Sequence, residues 1–301
     1  MADKKKVIVK TVNRSGKSLV KKALVVKNKK NGNLDAEKIK KMNEEKLAAK
    51  NKAAEKMEER EIVKKEKAKE DKAYDLNIGL KDLLDAGCHL GHKVAKTHPK
   101  SRDNIYMAKD GIEVFDLVKS LEALNKACTF IYNARRNGKQ IVMVGTKRQA
   151  KEAVKRVALD AGVPYVTDRW LGGTITNWDQ IKKNIKKLAE IKSGLEAGKY
   201  TESTKKELSD LSKEVSRLEK IVGGLTNCDK LFDVIFVVDA GFESTAIKEA
   251  TLRGIKTVAM VDTDSNPRKV DFAIPVNDDS VKSINLIVEE IGKAIKSAGV
   301  K

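Results

Sequence analysis

Lys147 and Arg148 stand directly after Gly145-Thr146, where a short apolar run, 140–144, gives way to an amphipathic stretch. That spacing puts two cations and free backbone N–H groups at a helix start, an arrangement that attracts phosphate. A second group, 168–178, reads Asp-Arg-Trp-Leu-Gly-Gly-Thr-Ile-Thr-Asn-Trp and holds both tryptophans of the chain. Its Arg169, Trp170 and Asn177 flank two adjacent glycines that allow close backbone approach. Trp170 has a second use as core filling. Arg135 and Arg136 end the helix before 140–144, where they either meet phosphate or complement the helix dipole. The stretch 88–100, read as a loop, carries all three histidines, with His92, Lys93 and Lys100 as further candidates for phosphate contact.

Other chemistries fail on spacing. Cys88, His89, His92 and His98 lack the second ligand cluster that structural zinc needs, because Cys128 and Cys228 stand alone. Asp262-Thr263-Asp264-Ser265-Asn266 begins like a calcium loop, but its sixth position is Pro267 and its twelfth is Ala273. What remains for metal is a loose magnesium contact near Asp239 or Asp262. Ser15-Gly16-Lys17-Ser18 resembles the end of a phosphate-binding loop, yet Thr11 occupies the place of its first glycine. No glycine-rich dinucleotide loop, nucleophile elbow or Ser/Cys–His pairing is present. The residues point away from an enzyme and toward binding.

The composition agrees. The 301 residues hold 62 Lys and Arg against 43 Asp and Glu, a net charge of +19, with 4% aromatics. A polyanionic partner is the commonest reason for such a surplus. No apolar run approaches the ~18 residues of a spanning helix, and three cysteines are too few for a disulfide scaffold. The surplus is uneven. Residues 1–75 carry 24 basic and 13 acidic residues and no Pro, Trp or Phe. Such a stretch reads as a basic extension, disordered or loosely helical. Within 1–34 there is only one Arg, Arg14, whereas organellar leaders favour Arg. A cytoplasmic location is therefore expected over an organellar one.

From residue 76 onward the pattern becomes an α/β domain. Apolar strands are expected at 140–144, 163–166, 233–238, 257–261 and 272–275. Amphipathic helices separate them, among them one capped by Ser120, one opened by 145–148, one at 244–253 and one at 279–297. Continuous apolar strands between helices predict a parallel sheet flanked by helices, of flavodoxin or Rossmann type. Short strands at 104–107 and 112–117 flank the Asp110-Gly111 turn. The segment 178–225 has no strand signal. Ile181, Ile185, Leu188 and Leu195, then Leu208, Leu211, Val215, Leu218 and Val222, recur at heptad-like spacing, and Thr204 with Glu207 forms a capping box. An inserted antiparallel helical hairpin with coiled-coil-like packing is expected.

The string 169–177, together with Gly87-Cys88-His89-Leu90-Gly91-His92, 144–148, 261–267 and 274–280, resembles the small-subunit ribosomal protein two family of bacterial or organellar type. The pieces come in family order and cover about 76–297. Gly172-Gly173 stands where the archaeal and eukaryotic branch would carry Pro-Gly. The stretch 97–101 departs from the family's Trp-Asn-Pro-Lys-Met by reading Thr-His-Pro-Lys-Ser, so Pro99 and Lys100 match while the aromatic residue does not. The resemblance implies a ribosome-bound monomer that contacts small-subunit ribosomal RNA near the junction of head and body. It also implies a contribution to docking the mRNA-binding ribosomal protein one. A free RNA-binding regulator and a nucleotide- or sugar-binding enzyme are the alternatives. The regulator would not need the whole set of motifs, and the enzyme would need a pocket with perturbed acids.

Overall fold

The computed structural model describes residues 72–200, 204–228 and 230–299, together with the short strands β1 (Thr11–Val12) and β2 (Ser18–Leu19). The chain divides into two units, 1–70 and 71–301. In the first, β1 and β2 pair antiparallel. The rest of the expected basic extension lies outside the described residues.

The second unit opens with helix α1 (Leu80–Asp85) and a three-stranded antiparallel sheet. Its strands are β3 (Leu90–Lys93), β4 (Ile105–Lys109) and β5 (Ile112–Phe115), in the order β3-β5-β4. Between β4 and β5 the chain turns at Asp110, φ 52°, and Gly111, φ 75°. Both lie in the left-handed region that a two-residue hairpin turn requires. Strand β3 falls in the stretch expected to be a loop. It pairs with β5, Leu90 against Val114 and Lys93 against Ile112. Four residues that include Gly91 and pair non-locally leave too little alternation to detect.

Helices and strands then alternate: α2 (Leu117–Arg136), β6 (Ile141–Val144), α3 (Lys151–Ala161) and β7 (Tyr165–Val166). The hairpin of α4 (Trp178–Glu196) and α5 (Lys205–Val222) follows. After it come β8 (Val234–Val237), α6 (Ser244–Arg253), β9 (Lys256–Val261), β10 (Phe272–Pro275) and α7 (Val281–Ser297). The five long-range strands pair in parallel in the order β10-β9-β8-β6-β7. Every residue of β6 and β8 is buried, as a sheet covered on both faces demands. Alternation splits the core in two. Ile141 and Met143 face Leu124, Val154 and Ile291. Val142 and Val144 face Trp170, Trp178 and Phe232.

Three local expectations shift. Helix α2 is capped by Asp116, whose Oδ1 accepts from the Val118 N–H at 3.1 Å, and not by Ser120. The Ser120 hydroxyl donates to the Pro275 carbonyl at 2.5 Å and so ties α2 to β10. Helix α3 begins at Lys151, which leaves Lys147 and Arg148 in the turn ahead of it. The hairpin starts its second helix with the expected capping box, Thr204 N–H donating to Glu207 Oε2 at 2.8 Å and Glu207 N–H to Thr204 Oγ1 at 3.4 Å. Its seam is buried at Ile181, Leu188, Ile191, Leu218 and Val222, while Leu195 and Leu208 emerge to solvent at the far end.

Candidate functional site

Parallel strands bring their C-terminal ends to one edge, and the loops leaving β6 to β10 gather there. Asp239 follows β8, Asp262 follows β9, and Asp278 and Asp279 follow β10. Into this group the β6 loop inserts Lys147. Its Nζ lies 3.1 Å from Asp239 Oδ2, 2.7 Å from Asp278 Oδ1 and 2.7 Å from Asp279 Oδ1. The Lys147 side chain is 14% exposed. Burial works against its charge, but Asp278, Asp279 and Asp239 outweigh burial and hold its pKa above the usual lysine range. Glu243 caps the neighbourhood, accepting from the Thr146 hydroxyl. Burial raises its carboxyl above the ordinary value. Asp278 is raised most, to about 8, first by burial and then by Asp239 and Asp262. The cluster thus holds more carboxyl groups than cations, and burial beside two other acids works against full ionisation of Asp278.

The small sheet meets this edge through β3. His92 N–H donates to Thr263 Oγ1 at 2.9 Å, and its ring Nδ1 lies 3.1 Å from Asp262 Oδ1. Its Nε2 lies 3.4 Å from Asp279 Oδ2. Burial lowers the imidazole pKa, but Asp262, Asp264 and Asp279 reverse that and leave it raised. Asp262 also accepts from the Thr263 N–H and hydroxyl. Asp239 accepts from the Gly241 and Phe242 N–H groups, each at 2.9 Å. Both acids expected to make a loose magnesium contact are therefore engaged by groups of the chain itself.

The loop after β7 is built differently. Gly173 adopts φ 93°, which favours glycine, and the chain doubles back so that Asn177 N–H reaches the Gly173 carbonyl at 2.7 Å. The buried carboxylate of Glu249, on α6, fills the inside of this turn. Its Oε1 accepts from Gly173 N–H at 2.8 Å, and its Oε2 accepts from Ile175 N–H at 2.9 Å and Thr176 N–H at 3.2 Å. Glu249 was not legible as a site residue; its only sequence signal is an acid on the apolar side of α6, between Ala246 and Ala250.

The expected site residues consequently separate into groups. Arg148 and Arg169 are exposed at the C-terminal edge, on loops leaving the adjacent strands β6 and β7, and neither has an ion-pair partner among the described residues. Asn177 is exposed at the start of α4. Lys93 and Lys100 are exposed around the small sheet. Lys147 is a correction: its ammonium turns inward to three carboxylates instead of presenting itself to a ligand. Trp170 is another. The indole is 7% exposed, packs edge-on against Phe232, and directs Nε1 to Glu249. Arg135 and Arg136 stand apart from both groups. They end α2 just before β6 begins, which places them at the opposite, N-terminal edge of the sheet.

Buried parallel strands with helices between them, and loops that expose cations at one edge, define a protein of the flavodoxin-like α/β class. The comparisons with known proteins agree. The family model described as Ribosomal protein S2 matches residues 83–298. A protein named small ribosomal subunit protein uS2, from Oenococcus oeni (strain ATCC BAA-331 / PSU-1), is 42% identical over 218 residues, which is 72% of this chain and 84% of the relative. The chain belongs to the ribosomal protein S2 family. It is a structural constituent of the small ribosomal subunit and not an enzyme.

Proposed function

We propose that this protein binds small-subunit ribosomal RNA through the C-terminal edge of its parallel sheet, near the junction of head and body, and acts as a monomer within the subunit. The observation that carries this reading is the pair Arg148 and Arg169, exposed and without ion-pair partners among the described residues, on neighbouring loops of a chain with net charge +19. Guanidinium groups in that position match phosphate oxygens bidentately. Asn177, Lys93 and Lys100 extend the contact surface. Lys147 and Trp170 support it from inside, by fixing the loops that carry their neighbours. Arg135 and Arg136, at the other edge, make a separate contact with RNA.

The same reading gives the protein a part in docking ribosomal protein one. The small sheet supports it, because Tyr106 is 73% and Met107 is 47% exposed, with Leu90, Val94 and Ile112 also reaching solvent. Apolar groups grouped on one small element favour a protein partner over RNA. Co-sedimentation with small subunits in high-salt gradients tests the reading. Wild-type protein is expected to travel with the subunit, and R148Q/R169Q protein to dissociate as salt rises. Equal retention of both removes the RNA role from these arginines. Loss of ribosomal protein one from subunits carrying Y106A/M107A protein tests the docking role, and full retention ends it.

A further inference from the structure

The loop 169–177 looks, by composition, like a free anion cradle, with two glycines and a run of backbone N–H groups. Its donors are already taken. The N–H groups of Gly173, Ile175 and Thr176 all end on the Glu249 carboxylate, as do the Trp170 indole N–H at 3.4 Å and the Thr176 hydroxyl at 3.4 Å. Arg253, one turn further along α6, donates from Nη2 to the Thr176 carbonyl at 2.7 Å. One helix thus grips the loop twice, by its N–H groups and by a carbonyl. Glu249 is buried and has no ion-pair partner among the described residues. A buried carboxylate without a counter-cation is costly unless several donors satisfy it. Here they do: burial raises its pKa, but the three backbone N–H groups and the indole reverse that and leave it below the usual range.

We propose that Glu249 is the positioning residue of the RNA-contacting loop, an internal anion that shapes the backbone from Trp170 to Asn177 so that Arg169 and Asn177 meet RNA preformed. This rests on the reading that the loop contacts RNA. Preorganisation of this kind gains affinity by removing the ordering cost from the binding step. It also carries a sign that distinguishes it from charge alone. Removing a negative charge from an RNA-binding protein should tighten binding by electrostatics, whereas removing a positioning group should weaken it.

The test uses the full chain, with small-subunit ribosomal RNA as probe at one fixed salt concentration. E249Q, E249D and R169Q are compared with wild type for RNA affinity and for hydrogen exchange at the amides of Gly173, Ile175 and Thr176. E249Q is expected to lose protection at these amides and to bind RNA about tenfold more weakly, although it carries one negative charge fewer. R169Q should bind more weakly with the amides still protected. E249D keeps the charge but cannot reach both sets of donors, and should fall between; it carries the same two readouts if E249Q does not fold. The proposal is overturned if the amides stay protected in E249Q, or if they open while RNA binding is unchanged or tighter and R169Q still weakens it. If R169Q binds as wild type, the RNA reading of the loop has failed instead.

Discussion

The loops leaving β6 and β7 start from neighbouring strands at the same edge of the sheet and have similar sequences: small residues, glycine and one or two cations. Their uses differ. In the β6 loop, Lys147 is drawn into Asp239, Asp278 and Asp279 and closes an acidic cluster. In the β7 loop, the inward role is taken by an acid from another helix, Glu249, and the cation Arg169 is left outside. Arg148, one residue from Lys147, also points out. At both loops one charged group is buried as scaffold and an arginine is exposed as surface. A basic residue at a strand end is thus not by itself a ligand contact; the charges that the fold brings opposite it decide.

The largest effect is expected from removing the buried cation. K147M leaves Asp239, Asp278 and Asp279 facing one another, and breaking a buried pair by removing one partner costs about 3–5 kcal/mol. Chemical denaturation at neutral pH checks it. A loss under about 1 kcal/mol would return Lys147 to the surface group.

A smaller effect tests the raised pKa of Asp278. The Asp278 carboxyl is raised to about 8 by burial and by Asp239 and Asp262. Between the ordinary carboxylate value and 8 the folded state binds more protons than the unfolded one, so this group makes stability fall as pH rises. D278N should remove that fall. Relative to wild type it should gain on the order of 1–3 kcal/mol between pH 5 and pH 8. Parallel stability–pH curves for the two proteins would contradict it.

The smallest expected change comes from removing residues 1–70. The start of the second unit is tied down within that unit: Lys72 N–H donates to Asn133 Oδ1 at 3.3 Å, and Tyr74 Oη donates to the buried Glu290 at 3.1 Å. A cut before Asp71 keeps these hydrogen bonds, and the remaining domain should unfold in one cooperative transition within a few degrees of the full chain. Loss of that transition would make the extension part of the fold.

Much of this architecture was legible in the sequence. Helix α6 and strand β10 have the expected bounds, 244–253 and 272–275, because Gly254 stops the helix in the left-handed region, φ 68°, and the strand is a short apolar run. The hairpin was visible because its capping box and seam are local. What escaped was non-local. Strand β3 exists only through its pairing with β5. Lys147 meets Asp239 and Asp278 across 92 and 131 residues of sequence, so nothing near it announces that it will turn inward. Glu249 organises a loop 73 to 79 residues earlier in the chain. The exposed arginines could be found from the sequence because exposure requires no partner.

On this reading the outward arginines, and not the inward lysine, meet RNA phosphate. The most direct measurement is the salt dependence of binding to small-subunit ribosomal RNA for wild-type, R148Q/R169Q and K147M proteins, alongside their unfolding. Removing one cation that touches phosphate should lower the slope of log affinity against log salt by about 1. R148Q/R169Q should show a slope lower by about 2 with stability within ~0.5 kcal/mol of wild type. Folded K147M should show an unchanged slope with reduced stability. An unchanged slope in the arginine variant, or a lower slope in K147M at normal stability, would contradict it.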